Sequence, residues 1–323
     1  MPGDKADVVM FGAKPIIEEA LTKAGLQLHK AWAAPDQDAF IASIAPHVRA
    51  IAAVAGHGPV DGALMARFPK LEIVSSFGVG YDHIDAKWAG QHGVIVTNTP
   101  DVLNEEVADT ALGLLLATVR HLPQAEKYLR AGHWPKHGDY QLTPSLRDRT
   151  VGIVGMGRIG KAIARRLDAM NVPVVYHSRR PADVAYKHYP NILEMARDVT
   201  VMVVITPGGA ATKNLVNADV LKALGPDGIL INVARGSVVD EAALIKALKD
   251  KTILSAGLDV FANEPSVPQE LIEMEHVVLL PHVGSASIAT RRAMDQLVAD
   301  NIISWFAGKG ALTPVPETPV KKT

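Results

Sequence analysis

The 323-residue chain contains no cysteine. That excludes disulfides, thiolate metal sites and a cysteine nucleophile, and it suits a reducing compartment. A surplus of charge of one sign is also missing. The 33 Lys and Arg against 34 Asp and Glu leave a formal net charge of −1, so no overall field draws the chain to nucleic acid or to an anionic membrane. Long apolar runs are absent. The longest, Ala111 to Val119, follows Asp109 and is too short to span a bilayer. The start, Met1 to Asp7, lacks the apolar core of a signal peptide, and a cytoplasmic protein is expected. No His/Cys cluster has metal-ligand spacing, so no metal is expected.

What is present is apolar content of 48%, normal for a globular protein, over a length that exceeds one ordinary domain. Asp7–Gly12, Ile51–Gly56, Leu71–Phe77 and Val94–Thr97 read as short strands, apolar on both faces as in a parallel sheet. Pro15–Ala24 and Asp82–His92 read as helices. Val102 to Arg130 gives one long helical pattern with a possible break near Pro123. A second series of strands follows: Val151–Val154, Val172–Tyr176, Val199–Ile205, Ile229–Val233, Ile253–Leu258 and Val277–Leu280. Helices Lys161–Met170 and Asp240–Leu248 lie between them, and Ser287 to Phe306 is long enough to return to the first domain. The expected fold is α/β, with two doubly wound parallel-sheet domains. The first is discontinuous, residues 1–98 plus 284–323, and the second covers residues 99–283. The proline-rich tail from Thr313 onward is expected to be mobile.

The most informative segment is Gly155-Met-Gly157-Arg-Ile-Gly160, between an apolar strand and a helical pattern. Gly155 permits a tight turn, Gly157 lets backbone approach a pyrophosphate, and Gly160 lets the helix pack on the strand. The freed N–H groups at the helix start then face phosphates. In such a unit the second strand normally ends in an acid, about 20 residues beyond the loop, that holds a ribose 2′-OH. Here it ends in His177-Ser178-Arg179-Arg180, with no acid before Asp183. Two guanidiniums attract a 2′-phosphate that a carboxylate would repel, and Ser178 can donate to it, so NADP(H) is expected over NAD(H).

Arg235, Glu264 and His282 each follow a late strand, at the end where open α/β sheets bind ligands. Together they suggest reduction of a 2-oxo acid. Arg235 would grip an anionic substrate, His282 would donate the proton as hydride arrives, and Glu264 would orient His282 and favour its protonated form.

With those residues in place, the chain resembles the D-2-hydroxyacid dehydrogenase family, in particular its glyoxylate/hydroxypyruvate reductase members. The resemblance rests on Phe77-Gly-Val-Gly-Tyr-Asp-His-Ile-Asp85, Val96-Thr-Asn-Thr-Pro-Asp-Val102, Val107-Ala-Asp-Thr-Ala-Leu-Gly113 and Gly155-Met-Gly-Arg-Ile-Gly160. It also rests on Asn232-Val-Ala-Arg-Gly-Ser-Val-Val-Asp-Glu241, Gly257-Leu-Asp-Val-Phe261 and Pro281-His-Val-Gly-Ser-Ala286.

The resemblance implies a flavodoxin-like substrate domain and a Rossmann NAD(P)-binding domain. It implies that Arg235, Glu264 and His282 are the catalytic set, and that Val79 and Gly80 bind the substrate carboxylate through backbone N–H groups. It places Asp259, Val233 and Ala234 by the nicotinamide carboxamide, with His282 and Gly284 alongside, and Val107 against the nicotinamide ring. Arg158 and Ile159 would meet the pyrophosphate. Thr206, Pro207 and Thr212 would line the adenosine side, and Ser178, Arg179 and Arg180 match NADP-preferring members. A homodimer is implied, joined through the nucleotide domains with the apolar stretch of the long helix buried against the partner, and Trp134 would reach the partner's active site or pack on its own surface. His57 could line the substrate pocket or occupy a loop with no catalytic role. Glyoxylate and hydroxypyruvate are the first choices of substrate. The rivals are larger aromatic 2-oxo acids such as hydroxyphenylpyruvate, or a dinucleotide-sensing, corepressor-like binding protein. Serine biosynthetic relatives usually carry an extra C-terminal regulatory domain, and that version is not expected here.

Overall fold

The computed structural model describes residues 6–54 and 58–318. Its contacts divide the chain into two compact units, Met1–Leu103 with Ser287–Thr323, and Asn104–Ala286.

The first unit runs β1 (Asp7–Met10), α1 (Pro15–Lys23), β2 (Gln27–Lys30), α2 (Gln37–Ile44), β3 (Val48–Ala53), α3 (Gly62–Ala66), β4 (Ile73–Ser76), α4 (Ala86–Gln91) and β5 (Ile95–Thr97). All strands are parallel, in the order β2-β1-β3-β4-β5. Local chemistry sets the helix starts. Pro15 opens α1, and the side chains of Asp36, Asp61 and Asp85 accept from the N–H groups of Ala39, Leu64 and Trp88.

The second unit runs α5 (Asn104–Val119), α6 (Leu122–Arg130), α7 (Trp134–His137), β6 (Val151–Val154), α8 (Arg158–Ala169), β7 (Val174–His177), β8 (Lys187–Tyr189), α9 (Ile192–Asp198), β9 (Val201–Val204), α10 (Ala218–Leu224), β10 (Ile229–Asn232), α11 (Glu241–Lys249), β11 (Ser255–Leu258), α12 (Gln269–Glu273) and β12 (Val278–Leu279). Its seven parallel strands are ordered β12-β11-β10-β9-β6-β7-β8. Strand order reverses at β6, between β9 and β7, so the loop after β6 opens at the switch point of a doubly wound sheet. The chain then returns to the first unit through α13 (Ile288–Phe306), capped by Ser287. Among the described residues, no helix is long and apolar enough to cross a membrane.

Three expectations need correction, and a fourth holds. The strands β2 and β8 carry polar and charged residues and lie at sheet edges, where burial on both faces is not required, so an apolar pattern misses them. The break expected near Pro123 in the Val102–Arg130 pattern is present, at His121, whose φ is +50°, and it leaves two helices. The apolar stretch of α5 is not left for a partner chain, because Val107, Ala111, Leu114, Leu115 and Val119 are already buried within the chain. Gly257 of β11 makes this possible, since a Cβ there would lie 2.5 Å from Thr118 Oγ1 and 2.9 Å from Leu114 Cγ. Nor is the tail loose as far as residue 318. Thr97 and Pro314 form an antiparallel bridge, the Val315 N–H donates to Val96 O at 2.9 Å, and Val315 and Thr318 are buried. Proline forbids a long strand here but leaves a single bridged turn available.

Candidate active site

In the second unit β6 delivers the chain into Gly155, whose φ is +106°. A Cβ at Gly155 would lie 2.9 Å from the N of Thr206, so the turn also presses against the end of β9. A Cβ at Gly160 would collide with the Gly155 carbonyl oxygen, which fixes α8 hard against the turn. Gly157 behaves differently. It sits at the N-cap of α8 with nothing within 4 Å of where a Cβ would be, and no side chain caps the helix. A bare helix start facing open space at a switch point is fit for a phosphate group. Arg158 and Ile159 form the first turn of this helix.

Beyond β7 the loop is pinned from below. The Tyr176 hydroxyl accepts from the Ala182 N–H at 2.9 Å, and His188 bonds the Ser178 carbonyl at 2.9 Å. Arg179 and Arg180 are exposed. The Ser178 hydroxyl donates to the Arg180 carbonyl at 2.6 Å, so its proton is spent within the loop. Thr206 and Pro207 begin the loop after β9, and the Thr212 hydroxyl closes it by donating to the Pro207 carbonyl at 2.7 Å.

Three strand ends converge. Beyond β10, buried Asn232 accepts from the Ala234 N–H and donates to the Arg235 carbonyl, both at 3.1 Å, holding the Val233–Arg235 turn. A Cβ at Gly236 would collide with the carbonyl group of Phe261, so this turn packs directly on the one after β11. There the Glu264 carboxylate accepts from the Phe261 N–H at 3.0 Å and from His282 Nδ1 at 2.7 Å. Glu264 and His282 stay partly exposed, at 34% and 46% of their side-chain surface. Burial acts to raise the Glu264 pKa. The His282 and Phe261 hydrogen bonds, with the charges of His282 and Arg235, outweigh it and hold the carboxyl below its ordinary value. Arg235, Glu264 and His282 therefore stand together.

Asp259, at the end of β11, holds the turn that carries His282. It is buried, and its two carboxylate oxygens accept from the Val283 and Gly284 N–H groups at 2.7 and 2.8 Å. Its carbonyl accepts from the His282 N–H at 2.9 Å, and His282 adopts φ +54°. Burial raises the Asp259 pKa, only partly offset by those two backbone bonds. Asp259 thus shapes the turn that presents His282. Val107 lies beside Gly284, with its methyls 3.8 and 3.9 Å from where a Cβ would be, and Thr110 donates to the Gly284 carbonyl at 3.1 Å. Trp134 is exposed in α7, with its indole N–H on Asp139 at 3.2 Å. In the first unit, Val79 and Gly80 lie in the loop after β4, and their N–H groups donate to no group among the described residues. His57 lies outside the described residues.

Sequence reasoning missed the turn-holding work of Asn232, Gly236 and Asp259. A polar residue closing an apolar strand, as in Ile-Leu-Ile-Asn232, is the signal that could have found the first.

A doubly wound sheet with a phosphate-ready glycine turn and a His–Glu pair at the strand ends defines a dinucleotide-dependent oxidoreductase. The NAD binding domain of D-isomer specific 2-hydroxyacid dehydrogenases matches residues 112–284. The chain is 46% identical over 309 residues to glyoxylate/hydroxypyruvate reductase A of Arabidopsis thaliana, covering 95% of this chain and 98% of that one. It is 44% identical to hydroxyphenylpyruvate reductase of Plectranthus scutellarioides over the same shares. Among solved structures it is similar to the NADPH-dependent glyoxylate/hydroxypyruvate reductase of Sinorhizobium meliloti in complex with NADP and malonate, with a TM-score of 0.92, 49% identity and 99% of each chain covered. The chain belongs to the D-isomer specific 2-hydroxyacid dehydrogenase family.

Proposed function

We propose that this enzyme reduces small 2-oxo acids, glyoxylate and hydroxypyruvate first, to the D-2-hydroxy acids with NADPH. The observation that carries the chemistry is the 2.7 Å bond between His282 Nδ1 and Glu264. A carboxylate at Nδ1 requires a proton there, which aims Nε2 away as the free acid–base atom. Arg235 supplies a fixed cation suited to a carboxylate and to polarising the adjacent carbonyl. NADPH, when bound, supplies the hydride. His282 supplies the proton to the carbonyl oxygen, and Glu264 stabilises the imidazolium before transfer. In the first unit, the free N–H groups of Val79 and Gly80 suit the substrate carboxylate.

For the cofactor, Gly155, Gly157, Arg158, Ile159 and Gly160 would hold the pyrophosphate. Arg179 and Arg180 would hold the 2′-phosphate, and Ser178 would donate to it after rotating away from the Arg180 carbonyl. Thr206, Pro207 and Thr212 would line the adenosine side. Val107, Val233, Ala234 and Gly284 would bound the nicotinamide, with Asp259 by its carboxamide while it holds the Val283–Gly284 turn. The similarity to an NADPH-dependent reductase crystallised with NADP supports this choice. Initial rates with NADPH and NADH, offered glyoxylate, hydroxypyruvate and phenylpyruvate separately, test it. Preference for NADPH with a small acid is the expected result. Preference for phenylpyruvate would move the assignment to larger aromatic acids, and no turnover despite NADPH binding would favour a binding protein.

The partner is a second copy of the chain, docked through α6 and α7. No residue of α6 is buried, and Leu122, Leu129, Trp134 and Leu142 are 51%, 54%, 57% and 98% exposed. Trp134 would serve the partner's site from this face. Sedimentation of wild type against Leu129→Glu tests this, with a shift to monomer expected. A cytoplasmic setting suits a chain without cysteine, and cell fractionation tests it.

A further inference from the structure

In the first unit, one buried asparagine starts a chain of hydrogen bonds that ends on the Gly78–Gly80 loop. Asn301, on α13, is fully buried. Its amide nitrogen donates to Leu297 O at 2.8 Å and to Thr313 Oγ1 at 2.9 Å. Its amide oxygen accepts from the N–H groups of Leu312 and Thr313, both at 3.0 Å. Two donors and two acceptors are the full capacity of an asparagine, so segment 312–313 is held in one position.

Thr313 passes that position on. Its hydroxyl donates to the Asn98 carbonyl at 2.6 Å, and the Asn98 N–H donates to the Thr313 carbonyl at 3.3 Å. Asn98 in turn donates from its side chain to the Val79 carbonyl at 2.9 Å. Next to it, the Thr99 N–H donates to the Gly78 carbonyl at 2.9 Å. Further along the tail, Glu317 accepts from the Tyr81 hydroxyl at 3.0 Å.

The two carbonyls are informative because peptide units are planar and trans, with C=O and N–H pointing opposite ways. The Val79 carbonyl shares its plane with the Gly80 N–H, and the Gly78 carbonyl shares its plane with the Val79 N–H. Holding those two oxygens therefore aims the two free N–H groups. Anchoring the tail alone would need only the buried Val315, not a polar relay that ends on this loop.

We propose that segment 312–318 is a positioning strap for the substrate loop, acting through Thr313 on Asn98 and through Glu317 on Tyr81. The proposal rests on the reading that Val79 and Gly80 take the substrate carboxylate. Asn98, Thr313 and Asn301 are positioning residues, acting on substrate through the loop.

The test is steady-state kinetics with NADPH and glyoxylate on Asn98→Ala, Thr313→Val and Thr313→Ser, with melting temperatures measured beside them. Loss of one aiming hydrogen bond should raise the glyoxylate KM about three- to tenfold in Asn98→Ala and Thr313→Val. The NADPH KM should stay within about twofold, and Thr313→Ser, which keeps the hydroxyl, should restore the wild-type KM. An unchanged glyoxylate KM in either variant overturns the strap, as does an equal rise in the NADPH KM. Val79→Pro, which removes one of the aimed N–H groups, separates the two layers. If it leaves the glyoxylate KM unchanged, the carboxylate assignment fails and the strap with it. If it raises that KM while Thr313→Val does not, only the strap fails.

Discussion

His282 and Glu264 share a single 2.7 Å hydrogen bond between Nδ1 and Oε2, and that bond decides which ring nitrogen does chemistry. A carboxylate accepts only, so Nδ1 carries a proton in either charge state and Nε2 is left to donate. Removing each partner should have a different cost. His282→Ala deletes the donor and should lower kcat by about 10³ or more, while Glu264→Gln keeps the shape but loses the anion and should lower kcat by about 10². Both should bind NADPH within about twofold of wild type, as read by fluorescence titration. Loss of NADPH binding in His282→Ala would remove His282 from the acid–base role.

The same pair sets a pH dependence of stability. The Glu264 pKa is lowered in the folded chain, where burial is outweighed by the bonds and charges of His282, Phe261 and Arg235. A carboxylate with a lower folded than unfolded pKa binds fewer protons when folded. Its contribution is therefore present above the ordinary carboxylate range and is lost as pH falls through the folded value. The melting-temperature gap between wild type and Glu264→Gln should close as pH falls below the ordinary carboxylate value, about 4.5. A gap that persists to pH 3 would show that the charge of Glu264 contributes nothing.

Arg179 and Arg180 stand exposed on a loop fixed by Tyr176 and His188, so they can change without disturbing the fold. Replacing both with Gln should raise the NADPH KM at least about tenfold, the loss expected for charge-assisted hydrogen bonds, and move the NADH KM less than twofold. Because the site is exposed, raising the salt concentration should weaken NADPH binding to the wild type far more than to the variant. Equal effects on both cofactors would remove the 2′-phosphate from this loop.

The parts of this fold that were legible are those where one physical requirement dominates. Strands buried on both faces, such as β6, β9 and β10, must be continuously apolar, and they read plainly. Edge strands β2 and β8 are free of that requirement, and an apolar pattern passes over them. The glycine turn was legible because each glycine answers a separate steric demand. Arg235, Glu264 and His282 were legible as strand-end residues of one resemblance, but the turn-holding work of Asp259 was not, since the Val283 and Gly284 N–H groups come near it only in the folded chain. The tail shows the same limit. Its prolines correctly exclude a helix or long strand, yet Asn301, on α13, holds it in place.

Gly157 and Gly160, three residues apart, should fail in opposite ways when changed to alanine. At Gly160 the new Cβ meets the Gly155 carbonyl oxygen, which cannot swing aside, so α8 must shift. Overpacking of this kind should lower the melting temperature by on the order of 5 °C and weaken NADPH as a consequence. At Gly157 the Cβ meets open space, and φ is −80°, which alanine tolerates. Melting should be unchanged there, while the NADPH KM rises because the methyl group stands where a phosphate would approach. Unchanged NADPH kinetics in Gly157→Ala would argue that the phosphate lies elsewhere.

Asp295 should give the opposite pH signature to Glu264. It is buried on α13, 3.3 Å from Lys14 Nζ, which itself lies 3.7 Å above the ring of Phe77. Burial raises its pKa, and the charges of Lys14 and Arg291 only partly offset that. A carboxyl with a higher folded than unfolded pKa binds more protons when folded. Its contribution is thus fully present below the unfolded value, about 3.8, and is lost as pH rises through the folded value. Whatever Asp295→Asn costs through the Lys14 contact, the variant should gain on the wild type as pH rises from about 3.5 to 7. Melting curves of the two proteins across that range decide it. A difference that stays flat would mean that Lys14 and Arg291 fully compensate the burial of this carboxylate, and one that turns in favour of the wild type at neutral pH that they more than compensate it.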